Sequence, residues 1–102
     1  MDSPSALMIT GKDNVATALQ TAEPGSDVLI HVGKEVRHVK ALDPIPFGFK
    51  IAVNRIPAGN SVIKYGEPIG IASRDIEPGE LVHIHNIEGA RGRGDLGKRG
   101  KK

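Results

Sequence analysis

Ile76-Glu77-Pro78-Gly79-Glu80-Leu81-Val82-His83-Ile84-His85-Asn86 joins a turn to an alternating run, and its reading decides the fold. Pro78 fixes one turn dihedral and Gly79 takes the positive φ that the next position demands, so the chain leaves the turn extended. The same device recurs at Pro24-Gly25-Ser26-Asp27-Val28 and at Ala58-Gly59-Asn60-Ser61-Val62, each time a turn that launches an apolar position. Ile56 and Ile76 precede the last two turns. Three copies at uneven spacing do not make a solenoid. They describe one small β domain that reuses a corner.

The composition agrees. Thirteen Gly and seven Pro among 102 residues exclude long helices, and one Tyr, two Phe and no Trp exclude a large aromatic core. Strand-like runs lie between the turns, at Val28 to Val32, Val36 to Leu42, Lys50 to Asn54, Ser61 to Lys64, Ile69 to Ala72 and Leu81 to Asn86. One segment predicts a short N-terminal helix. In Asp13-Asn14-Val15-Ala16-Thr17-Ala18-Leu19, Asp13 or Asn14 would cap it, Val15, Ala18 and Leu19 share a face, and Pro24-Gly25 stops it. Asp43-Pro44-Ile45-Pro46-Phe47-Gly48 reads as a rigid connector. The fold class is mainly β with one short helix. It is divided into a flexible lead over 1–6, a domain over 7–89 and a basic tail over 90–102.

The net charge of +2 conceals an asymmetry. The tail holds Arg91, Arg93, Lys98, Arg99, Lys101 and Lys102 against Asp95 alone, and is therefore +5. The other eight basic and eleven acidic residues leave the domain at −3. An acidic domain with so few aromatics argues against a nucleic-acid partner. Absent cysteine removes disulfides and thiolate chemistry and suits a reducing compartment. The opening Met1-Asp2-Ser3-Pro4-Ser5 lacks the features of a secretory signal, and no apolar run approaches a membrane span. The expected location is the cytoplasm.

Two motifs could carry chemistry. Alternation over Leu81 to Asn86 would put His83 and His85 on one strand face, suited either to ligating a divalent metal together or to acting as a base and its partner, with Asn86 adding an amide at the strand end. The other reading is a polar solvent face, and no third ligand is evident, since His31 and His38 are elsewhere in the chain. Arg91-Gly92-Arg93-Gly94-Asp95 could swing two guanidinium groups toward one anion, or could be a solvated tail. Lys50 and Lys64 lie on predicted strands and read as exposed charges.

Taken in order, Asp13 to Leu19, Ile45-Pro46-Phe47-Gly48-Phe49-Lys50-Ile51-Ala52, Ile63-Lys64-Tyr65-Gly66-Glu67-Pro68-Ile69-Gly70 and Val82 to Asn86 running into Arg91 to Asp95 resemble the SAF domain of altronate and galactarate dehydratases. A similar domain occurs as the small subunit of sulfolactate sulfo-lyase. The resemblance implies a β-clip domain that completes the active site of a large lyase subunit, which eliminates water or sulfite from a hydroxy-carboxylate substrate. It implies catalytic roles for His83 and His85 and substrate contacts from Lys50, Asn86, Arg91 and Arg93. It also implies a divalent metal (Fe2+, Mn2+ or Mg2+) at His83 and His85, shared with the large subunit. Family members commonly read Gly-His-Lys where this chain has Gly48-Phe49-Lys50, so a histidine role at that position is lost, drawn from the partner, or unneeded for a different substrate. A carbohydrate- or anion-binding or assembly module without chemistry is the alternative, and a homo-oligomer stays open.

Overall fold

The turn copies become corners in the computed structural model, which describes residues 3–89. Four corners form, not three, because the segment read as a rigid connector is the fourth. Each places a buried alanine, a buried Ala or Ile, a glycine and a buried Val or Ile at fixed spacing. They are Ala18-Ala22-Gly25-Val28, Ala41-Ile45-Gly48-Ile51, Ala52-Ile56-Gly59-Val62 and Ala72-Ile76-Gly79-Val82. The four glycines have φ between 87° and 95°.

The corners pair two by two through the same hydrogen bonds. In the first pair the amide of Gly25 donates to Ala41 O (2.7 Å) and that of Gly48 to Ala18 O (2.8 Å), while Ala22 and Ile45 exchange bonds of 2.9 and 2.8 Å. In the second pair Gly59 donates to Ala72 O and Gly79 to Ala52 O (both 2.8 Å), while Ile56 and Ile76 exchange bonds of 2.8 and 2.9 Å. Turn backbones that would otherwise be buried without partners thereby satisfy one another.

Nine strands run between and around the corners: β1 (Ser5–Leu7), β2 (Val15–Ala18), β3 (Asp27–Val32), β4 (Glu35–Lys40), β5 (Lys50–Ala52), β6 (Ser61–Lys64), β7 (Glu67–Ala72), β8 (Leu81–Val82) and β9 (Ile87–Gly89). They make a six-stranded sheet, β4-β3-β1-β2-β5-β8, and a three-stranded sheet, β6-β7-β9. All pairs are antiparallel except β1 with β3. The first core gathers Ala6, Met8, Ile30, Ile45 and Ile51. The second gathers Val15, Ala52, Ile56, Val62, Ile76 and Val82. Strands β5 and β8 serve both, since alternation sends Ile51 and Leu81 to the first core and Ala52 and Val82 to the second.

The structure corrects two expectations here. No helix occurs among the described residues, and the segment expected to be one is β2, paired with β1 and β5. Its supposed caps bind the preceding loop and the distant β6–β7 hairpin instead. The buried Asp13 carboxylate accepts hydrogen bonds from the amides of Ile9, Thr10, Tyr65 and Gly66 and from the Thr10 hydroxyl, at 2.8 to 3.3 Å. Asn14 accepts from the Ile63 amide (2.7 Å) and donates to Ser61 O (3.0 Å). These two side chains hold the three-stranded sheet against the six-stranded one. Secondly, β1 begins at Ser5 with Ala6 buried, inside the stretch expected to be a flexible lead.

Gly79 ties the two halves together. Its carbonyl accepts from Leu42 (2.8 Å), and a Cβ there would overlap the Lys40 carbonyl oxygen, whereas a Cβ on Gly59 would meet open space. Gly59→Ala therefore carries only the cost of its left-handed backbone, roughly 1–2 kcal/mol. Gly79→Ala adds a backbone clash and is expected to cost about 4 kcal/mol or more. Denaturant unfolding of the two variants compares them, and equal losses would contradict the close packing at Gly79.

Burial pushes the Asp13 carboxyl up, but hydrogen bonds from Gly66, Thr10 and Tyr65 outweigh it and hold the group below the usual carboxylate range. A folded value below the unfolded one of about 3.9 means that the contribution is complete above about pH 4 and is lost as pH falls through the folded value. Asp13→Asn should destabilise the domain by about 2–4 kcal/mol at pH 7, with the difference from wild type shrinking in the acid limb. Unfolding curves measured across pH check both, and a difference that stays constant into strong acid would refute the carboxylate's role.

Candidate functional site

After Val82 the chain leaves the sheet, so the strand expected over Leu81 to Asn86 ends two residues in. The physical reason is Asn86. Its side chain is fully buried, accepts from the His83 amide (2.9 Å) and donates to Leu81 O (2.8 Å), while its own amide donates to His83 O (3.0 Å). A strand would strand that amide group in an apolar interior, and the tight loop satisfies it instead. The Asn86 carbonyl also accepts from Ser73 (2.9 Å), which anchors the loop to the end of β7.

The loop separates the two histidines. His83 is half-buried with its ring against Phe49, centroids 4.9 Å apart and planes inclined at 58°. His85 is exposed, and Ile84, expected inside beside Val82, is 81% exposed at the loop tip. The single strand face shared by both histidines is therefore corrected to a turn. Phe49 belongs to the second corner, so a residue of that corner is the one that touches His83.

Lys50 points elsewhere. It pairs across β5 and β8 with Val82 and shares the parity of Ala52, so it faces the three-stranded sheet, whereas Phe49 packs against the first core. Burial, and then the neighbouring Lys64 ammonium, hold its amine below the ordinary lysine value. His83 and Lys50 thus sit next to each other in the register but serve opposite faces. Asn86 is enclosed and acts by shaping the loop. Arg91 and Arg93 lie outside the described residues.

Among the described residues no three His, Cys, Asp or Glu side chains gather as a metal centre would require. His83 and His85 offer at most two donors in a turn, and do not fit a self-contained metal site. His31 lies 3.3 Å from the Ser5 hydroxyl and His38 2.9 Å from Asp27, both on β3 and β4. Sequence reasoning missed the contact of Phe49 with His83, which had no local signal because it joins residues far apart in the chain.

A small two-sheet β module built on paired corners, with a histidine loop at one end, defines the class. The altronate/galactarate dehydratase SAF domain model matches residues 4–90, and the chain belongs to this family. The chain is 41% identical to an altronate dehydratase of Bacillus subtilis over 85 residues, covering 82% of this chain and 16% of that protein. The altronate dehydratase of Escherichia coli is 39% identical over 80 residues, covering 78% and 15% respectively. The (2R)-sulfolactate sulfo-lyase subunit alpha of Paracoccus pantotrophus is 47% identical over 47 residues, covering 46% and 70%. The chain spans about a sixth of the altronate dehydratases it matches.

Truncating Asn86 leaves the His83 amide and the Leu81 carbonyl without partners. Asn86→Ala should cost about 2 kcal/mol and raise amide exchange at His83 and Ile87. The ring-current shift of the His83 imidazole against Phe49 should also diminish, as NMR would record. An unchanged His83 shift would mean that the amide does not position the ring.

Proposed function

We propose that this chain is the SAF-domain component of a lyase that removes water or sulfite from a hydroxy acid, and that it completes an active site whose other groups lie on a larger polypeptide. The observation that carries this reading is the family match over nearly the whole domain, together with relatives named as altronate dehydratases and as a sulfo-lyase subunit. The small share of the altronate dehydratases that the chain spans supports a larger partner. The β-clip form belongs to the same reading, and the cysteine-free composition suits the cytoplasm.

In such an elimination a base takes the proton α to the carboxylate, the C–H pair becomes the new double bond, and the β group leaves, as water after protonation or as sulfite. His83 is the candidate for proton transfer. Its loop is fixed by Asn86, and it carries an imidazole, the side chain most often used to pass protons in such steps. Arg91 and Arg93 supply cations for the substrate carboxylate and the enediolate charge. His85, exposed on the same loop, is the candidate to meet the partner's side of the site.

Co-expression with a larger lyase chain tests the reading. The purified chain alone should show no turnover, the complex should turn over, and His83→Ala should lower kcat by roughly 100-fold or more with the complex intact by size exclusion. Full activity of the isolated chain would overturn it. So would an unchanged kcat in His83→Ala, which would favour the reading as a binding or assembly module.

A further inference from the structure

Strand β4 forms one edge of the six-stranded sheet, and among the described residues no strand pairs with its outer side. Which of its backbone groups face outward follows from β3. The Leu29 amide donates to Pro4 O and the His31 carbonyl accepts from Met8, so the odd residues of β3 bind toward β1 and the even ones toward β4. Val32 pairs with Glu35, Ile30 with Arg37 and Val28 with Val39. The odd residues of β4 are thereby used, while Val36 and His38 turn their amides and carbonyls to the edge. The other edges are blunted, since β8 has two residues, β9 has three, and β6 is bulged between Val62 and Ile63. β4 has six residues in regular register without a proline, and Val36 on it is 48% exposed.

A strand that meets its own copy in an antiparallel sheet does so about a two-fold axis normal to the sheet, so one residue faces itself and its neighbours face in reciprocal pairs. Centring on Glu35 or Arg37 sets two like charges opposite each other. Centring on His38 carries the copy past Lys40, where the Gly79 corner already packs against the Lys40 carbonyl and accepts the Leu42 amide (2.8 Å). Centring on Val36 keeps the contact within 34–38. There Val36 exchanges amide and carbonyl with its copy, His38, already bonded to Asp27 (2.9 Å), faces Lys34, and Glu35 faces Arg37 twice. Glu35 and Arg37 stand on one face of the strand and lean together at 3.6 Å, so the pairing joins two such bridges into one network.

We infer that the chain pairs with a second copy of itself through β4, with Glu35 of each facing Arg37 of the other, and that two six-stranded sheets become one continuous sheet. β8 lies at the opposite end of the order, so both His83 loops stay free at the far ends. The inference does not rest on the lyase reading. Five residues a side bury less than the roughly 1,200 Å² of a stable complex, so the dimer is weak and depends on concentration.

Sedimentation of the full chain from about 10 μM to about 1 mM should show monomer passing to dimer. Glu35→Arg and Arg37→Glu should each raise the dissociation constant roughly tenfold or more, since each creates two like-charge contacts. An equimolar mixture of the two variants should regain the dimer as a heterodimer, because every facing pair is again of opposite charge. Mixing cannot repair a misfolded chain, so this recovery reports the pairing itself. A wild-type chain that stays monomeric throughout, single variants that pair as tightly as wild type, or a mixture that stays monomeric would each overturn the inference. None of these results bears on the turnover experiment.

Discussion

The exchange of hydrogen bonds between paired corners is the interaction on which the rest of the molecule depends. Each corner presents a glycine amide that its own turn cannot satisfy, and each donates it to the carbonyl of a buried alanine in the partner corner. Alanine suits the position because its small side chain lets one turn lie against another. The glycines supply the positive φ that L-residues resist. Two such pairs, each around its own apolar cluster, make two small cores instead of one, and β5 and β8 join them by showing alternate residues to each.

Joining two small cores requires a second constraint, which Asp13 and Asn14 provide. A buried carboxylate is costly unless its oxygens are fully engaged. Five donors from two segments engage this one. The same contacts define the hairpin that carries Lys64 and Tyr65. The stability of the domain and the shape of this hairpin therefore share one group.

At the other end lies the loop after β8, which carries both candidate histidines. A fully buried asparagine shapes it, a corner residue, Phe49, limits the His83 ring, and His85 is left to solvent. One imidazole is therefore held against an apolar ring while the other faces water.

Much of the β architecture was legible because its signals are local. Gly and Pro mark turns through backbone dihedrals alone, and alternation marks β6 with its observed bounds. The family resemblance rested on ordered short motifs and held over residues 4–90. The errors fell where a local signal had a distant partner. Asp13 and Asn14 are good helix caps by type, yet beside the local bonds of Asp13 to Ile9 and Thr10 both bind residues about fifty positions away. The Leu81 to Asn86 run alternates correctly, yet the burial of Asn86 bends it into a loop. The sequence by itself determined where the chain must turn, which residues are apolar enough to face a core and which family the motifs belong to, since each depends on a side chain and its immediate neighbours. Only the tertiary structure decided that Phe49 meets His83, that Lys50 and His83 serve opposite faces, and that the supposed helix is a strand. Those outcomes depend on which buried polar groups find partners across the fold, and no single segment carries that information.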